Sequence, residues 1–256
     1  MPVITLLEKL YGRNSFKLLE TQLQSLCEGL QATVKVVELT DQGWIRVNVS
    51  GEDETAASNL LKERFNLAPV ELKNVEIGNV QKGKIFVSEK DSTEIYVDVG
   101  VFVPKPIEAS ISLQHLQAQL VDGKELPLQR LTKLFCLADN FPLKILNKRL
   151  DNKRSRFVAE LSEKQIALFS EWTLSNLERL IVLGTFSENI ERAVKASGHL
   201  RDVAEIETLG LLEHAVVCKL GTYAAGLIPK VGRLLPNVAL KVFSPREIQR
   251  FTETFR

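Results

Sequence analysis

The stretch that most constrains the fold is GKIFVSEKDSTEIYVDVGVFV, residues 83–103, with Pro104 and Pro106 close behind. Two apolar-rich runs, Gly83 to Val87 and Ile95 to Val103, flank the polar segment Ser88 to Glu94, the pattern of a hairpin. Ile95, Val97 and Val99 fall on one face of the second run and Tyr96 and Asp98 on the other. Gly100 and the two prolines end that register, because glycine permits a bend and proline cannot donate to a strand ladder.

Two more strands are expected at Pro142 to Asn147 and Ser155 to Leu161. Before them, Leu128, Leu131, Leu134 and Phe135 recur at helical spacing within Leu126 to Leu137. Five short strands with one helix late in the order suit a small closed barrel of the oligonucleotide-binding kind, assigned to residues 80–172.

The flanking segments, 1–79 and 173–256, each read as strand, helix, strand, strand, helix, strand. That is the order of a ferredoxin-like sandwich, so an α+β chain with a barrel between two such units is expected. In the first, Ser15 caps a helix carrying Phe16, Leu19, Leu23, Leu26 and Leu30, and Val70 to Ile77 supplies the closing strand. Trp44 is the only aromatic expected on its central strands, which reads as packing rather than a platform for stacked bases. In the last, Ser187 is expected as a helix cap, and Pro229 must lie in the first turn of its helix or kink it.

A formal net charge of +1 supplies no global cationic field, so any affinity for nucleic acid must come from local patches. Cys27, Cys136 and Cys218 are far apart and in no metal-ligand spacing, and Cys218 follows three apolar residues as a buried, inert thiol would. With no secretory leader and no apolar run near the roughly 18 residues of a membrane span, a reducing cytoplasm and no membrane partner are expected. The nucleophile-elbow, zinc-protease, Cys-x-x-Cys, P-loop and dinucleotide patterns are all missing, so no catalytic residue, metal or cofactor is assigned. His115 has no second ligand or base at recognisable spacing and reads as a surface histidine.

From Lys144 to Arg156 the chain holds six basic residues, Lys144, Lys148, Arg149, Lys153, Arg154 and Arg156, against one acid, Asp151. Such a loop between two strands can meet phosphates; the alternative is a solvated hairpin whose charges keep an edge soluble. The run of KGKIF, IYVDVG, PLKILN and RFVAEL also resembles the S-one RNA-binding domain. That resemblance implies single-stranded RNA on the exposed barrel face, with Phe86, Tyr96, Phe102, Lys144 and Lys148 at the contacting positions. The aromatic pair usual before the second strand is replaced by Asp91-Ser92-Thr93.

Residues 197–232, SGHLRDVAEIETLGLLEHAVVCKLGTYAAGLIPKVG, resemble an archaeal family defined by a domain of unknown function, whose members share this length. Membership implies an archaeal cytoplasm and a link to transcription or translation. Arg201 could hold an anion beside His199 and Asp202, or Arg201 and Asp202 could simply close a local ion pair. Gly221, if it opens a helix, would offer free amides near Lys219 and Lys230.

The sequence therefore leads to a non-enzymatic RNA-binding or ribonucleoprotein-associated protein, its partners single-stranded or structured RNA and the ribosome or RNA polymerase. Two alternatives stand beside it. One is a docking module for a transcription or translation assembly, since a sandwich joined to an S-one barrel is similar in outline to the stalk subunit of archaeal RNA polymerase. The other is a nucleic-acid-modifying enzyme.

Overall fold

The structure, a computed structural model, describes residues 3–12, 14–86 and 93–253. Most of the polar segment between the two barrel runs, including Asp91 and Ser92, lies outside the described residues. The first unit contains β1 (Val3–Lys9), α1 (Phe16–Leu26), β2 (Ala32–Leu39), β3 (Trp44–Gly51) and α2 (Glu54–Phe65). Its three strands are antiparallel, with β3 between β1 and β2. Ser15 caps α1 as expected, its hydroxyl accepting from the Leu18 amide at 3.2 Å. Leu19 and Leu23 of α1, with Ala57, Leu61 and Phe65 of α2, bury against Val34, Val47 and Val49.

The expected strand from Val70 to Ile77 does not close this sheet. Residues 66–68 begin to, since the Asn66 carbonyl accepts from the Leu7 amide and the Ala68 amide donates to the Thr5 carbonyl. Pro69 then has no amide to give, and Val70 takes a left-handed φ of 66°. The chain turns away as β4 (Val70–Glu71), pairs in parallel with the barrel strand Glu94–Val103, and passes into a 3-10 turn at Leu72–Asn74.

The middle unit consists of β5 (Val80–Phe86), β6 (Glu94–Val103), β7 (Ile107–Ser112), α3 (Leu113–Leu120), α4 (Leu128–Leu134), β8 (Pro142–Asp151) and β9 (Arg156–Leu161). β5 pairs with β6, β6 with β7, β7 in parallel with β9, β9 with β8, and β8 again with β5, so five strands close into a barrel. Ile95, Val97 and Val99 point inward to Ile85, Ile111, Ile145 and Phe157. At Gly83 the walls come too close for a side chain: a Cβ there would lie 2.6 Å from the Asp98 carbonyl oxygen. Leu128 and Leu131 of α4 bury beneath the barrel, and α3 is a further helix that the sequence pattern did not suggest.

α5 (Glu163–Leu174) follows β9 and packs into the barrel core through Phe169 and Trp172, and the last unit then runs β10 (Arg179–Leu183), α6 (Ser187–Ala196), β11 (Val203–Thr208), β12 (Glu213–Cys218), α7 (Ala224–Leu234), β13 (Ala239–Phe243) and α8 (Pro245–Glu253). Its antiparallel sheet has the order β11-β12-β10-β13. Ser187 is the first residue of α6, and Phe186, which has no side-chain acceptor, occupies the capping position instead. Pro229 sits inside α7, beyond its first turn. The whole is a mixed α+β chain, a closed five-strand barrel flanked by two antiparallel sheets.

Two joints hold the barrel to its neighbours. One is aromatic: Phe135, Phe169 and Trp172 meet Phe243 of β13, with Phe169 stacked on Phe243 at 6.3 Å and Trp172 edge-on to it at 5.2 Å. The other is ionic, where Lys84 of β5 lies between Glu8 of β1, at 2.6 Å, and Glu213 of β12. Tyr11 donates to the other Glu213 oxygen at 2.7 Å, and Lys9 pairs with Asp98 at 2.6 Å. Asp98, expected on an outer face, is thus covered by the first unit.

Candidate nucleic-acid interface

The β8–β9 hairpin is shaped by its single acid. The Asp151 carboxylate accepts from the amides of Lys153 and Arg154 at 3.0 and 3.3 Å, which folds the turn and holds its pKa below the usual carboxylate range. Ser155, at φ 52°, completes the reversal and returns the chain at Arg156 opposite Asp151. A register shift between Asn147 and Arg149 brings Arg149 opposite Val158, and Val158 in turn lies beside Ser110 of β7. Ser110 is opposite Tyr96, and Tyr96 opposite Phe86. Since directly paired residues share a face, Phe86, Tyr96, Ser110, Val158 and Arg149 form one row across the outside of the barrel.

At the hairpin end of that row is a concavity of about 400 Å³. Arg149, Lys153, Arg154 and Arg156 line it together with Ser110, Ser112 and His115, and two acids, Glu94 and Asp151, share the wall. Glu94 holds Arg154 and Arg156, each at 3.4 Å, while Arg149 and Lys153 make no ion pair among the described residues. Arg156 also lies over the Tyr96 ring, 5.0 Å from its centroid, and Phe86, 40 % exposed, packs tilted against Tyr96 at 5.7 Å. His115 is exposed, its Nδ1 3.0 Å from the Ser112 hydroxyl.

Four of the six hairpin-region cations thus meet at one cleft, near Phe86 and Tyr96. The other two do not line it. Lys144 is opposite Lys82 on the β5–β8 pair, and Lys148 is paired with Glu160 at 2.6 Å. Phe102 turns to the first unit, where it packs with Leu7, Trp44 and Ala68. Trp44 itself is fully buried with the Lys9 ammonium 4.7 Å from its ring, so it is packing, as its isolation in the sequence suggested.

The carboxyl-terminal candidates are not gathered in the same way. Asp202 pairs with His199, Nδ1 to Oδ2 at 2.6 Å, rather than with Arg201, which is exposed. Lys219 and Lys230 are exposed as well. Gly221 does not open α7, which begins at Ala224, and the Ala224 amide already donates to the Glu178 carboxylate at 2.8 Å. This carboxylate takes the place that an outside anion would need. Burial pushes the Cys218 thiol up to about 11 and Cys136 up to about 12, consistent with inert thiols. No helix among the described residues is long and apolar enough to cross a membrane.

Fold and cleft define a three-part α+β protein whose central barrel carries a cationic outer cleft. The chain matches the DUF2110 N-terminal domain over residues 3–70, the DUF2110 central domain over 75–173 and the DUF2110 C-terminal domain over 177–243. It belongs to the DUF2110 family, a domain-of-unknown-function family as the resemblance of residues 197–232 implied. No curated protein matches it.

Proposed function

We propose that the protein binds RNA, without catalysing a reaction on it, through the outer cleft of its barrel. The observation that carries this reading is the convergence of Arg149, Lys153, Arg154 and Arg156 on one concavity beside the Phe86–Tyr96 pair. Counting barrel strands from β5, the pairing order is first, second, third, fifth, fourth and back to first. The cleft lies over the second and third strands and the fourth-to-fifth hairpin, which is where oligonucleotide-binding barrels take their ligands. This supports the S-one-like reading of the middle unit, and the β11-β12-β10-β13 order supports a ferredoxin-like reading of the last. Arginine and lysine supply phosphate contacts, and an exposed ring beside them supplies a face for a base.

The test is binding of single-stranded RNA to the full chain at several salt concentrations, against a variant with Arg149, Lys153, Arg154 and Arg156 neutralised. The native chain is expected to lose affinity steeply with salt, with a slope of about 0.7 for each neutralised phosphate. The variant is expected to show weaker binding and a shallower slope. Equal, negligible binding by both would remove the proposal.

A further inference from the structure

A second cavity, about 380 Å³, opens where all three units meet, and its wall combines features that a folded chain does not leave unused without cost. His214 of β12 lines it while only 2 % exposed, and neither ring nitrogen has a well-aligned hydrogen-bond partner, although the Thr185 and Leu211 backbone lies close enough to favour the charged ring. Lys82 of β5 and Arg64 of α2 line the same cavity, and neither makes an ion pair among the described residues. Burial lowers the Lys82 pKa and outweighs the attraction of the nearby Glu8 carboxylate, while Lys84 and Lys144 add to the lowering. The N-terminus of α6, at Ser187, is also there, with no side chain capping it; the Asn189 amide turns back to the Phe186 carbonyl at 3.1 Å, which leaves the Ser187 and Glu188 amides to face the cavity end of the helix.

The acids of the region do not satisfy these cations. Glu8 is held by Lys84, which it shares with Glu213. One ammonium facing two buried carboxylates favours a proton on one of them, and burial accordingly raises the Glu213 pKa. Glu188 is exposed and free to turn to solvent. The wall of the cavity thus carries a lysine, an arginine, a neutral imidazole and a helix N-terminus, together with the Glu8 and Glu188 carboxylates and the apolar Phe65, Phe186 and Leu211.

We infer that this junction is a binding site for a small organic molecule carrying a phosphate monoester, distinct from the barrel cleft. The phosphate oxygens meet the α6 amides, Lys82 and Arg64, the first pair being the common arrangement for phosphate at a helix start. His214 offers one donor and one acceptor to the ester or its attached polar groups, and the apolar wall takes the organic body. A cavity of 380 Å³ is in the range that small ligands fill. Because the lining comes from all three units, occupancy would also clamp them together.

The experiment is calorimetric titration of the full chain with inorganic phosphate and with AMP as probes. Saturable binding at one site is expected for both, tighter for AMP. Arg64→Gln, a change at an exposed position, and Lys82→Gln are each expected to weaken AMP binding about tenfold. Arg149→Gln, in the barrel cleft, is expected to leave AMP binding unchanged, which separates this site from the RNA reading. Absence of saturable binding by the native chain, affinity unaltered in both Arg64→Gln and Lys82→Gln, or a loss confined to Arg149→Gln would each overturn the inference. AMP no tighter than inorganic phosphate would overturn the part that assigns an organic body to the apolar wall.

Discussion

Between the barrel and the last sheet the contact is a cluster of rings, whereas at the meeting point of all three units it is one ammonium between two carboxylates. The rings of Phe135, Phe169, Trp172 and Phe243 are buried and continuous with the barrel core. Their contribution scales with area removed from water and with ring geometry, and neither changes with salt or ordinary pH. Lys84, Glu8 and Glu213 are as deeply buried, but each must be desolvated before it can be paired. Burial works against the Lys84 charge, and the two carboxylates overcome it, so its pKa is raised. The aromatic joint supplies adhesion; the ionic joint supplies a condition that only the correct arrangement of three units satisfies.

Removing Trp172 should therefore have the largest effect. Trp172→Ala is expected to destabilise the protein by about 3–5 kcal/mol, seen as a lower denaturation midpoint with the same shift at low and high salt. A marked salt dependence of that shift would break the distinction between the joints. Lys84→Met should cost nearly as much, roughly 3–5 kcal/mol, because two carboxylates stay buried without their cation. Here the repair is informative: adding Glu8→Gln and Glu213→Gln to Lys84→Met should restore most of the stability. No restoration would mean that the lysine stem packs like the rings do.

His214 beside the ionic joint gives a smaller and pH-dependent effect. Burial, reinforced by the Lys84 charge and offset only in part by the Thr185 backbone, Glu188 and the Leu211 backbone, pushes its pKa down to about 4 from 6.5. The neutral ring is the form that the fold accepts, so its contribution is complete above about pH 6.5 and is lost as the pH falls through about 4. That amounts to about 3 kcal/mol across the window. Urea denaturation between pH 7 and pH 4 should show His214→Leu losing less stability on acidification than the native chain. Parallel pH profiles would refute the assignment.

The two joints were not equally legible in the sequence. Barrel strands could be read because Ile95, Val97 and Val99 alternate with polar positions, and Phe135 because it continues the helical spacing of Leu128, Leu131 and Leu134, although its meeting with Phe169, Trp172 and Phe243 joins segments far apart in the chain. The ionic joint could not. Glu8, Lys84 and Glu213 lie on strands of three different units, and a lone charge on an alternating strand ordinarily faces water. A signal was present at Glu213 and His214, two polar residues inside the apolar run LLEHAVVC, where the whole strand proves buried. The missing closing strand of the first sheet had a signal too, in Pro69, although the left-handed turn at Val70 is a backbone property that a β-branched residue gives no reason to expect.

Placement of the cleft residues was legible only as a density of charge. The register shift before Arg149 and the turn at Asp151 decide which cations converge, and both arise from pairing across strands rather than from local pattern.

The smallest expected stability effect lies at that cleft and sharpens the comparison from the exposed side. Glu94 is a lone acid facing two arginines, as Lys84 is a lone base facing two acids, but its partners are solvated and 3.4 Å away. Glu94→Gln should change stability by no more than about 0.5 kcal/mol, since exposed pairs gain little over hydrated ions. Its effect on ligand should be the reverse of modest structure: with Arg154 and Arg156 released, single-stranded RNA should bind roughly threefold tighter at low salt, with the gain shrinking as salt rises. Weaker binding in Glu94→Gln would instead make that carboxylate an acceptor for the bound strand, and the arginines' pairing with it a way of holding it in place.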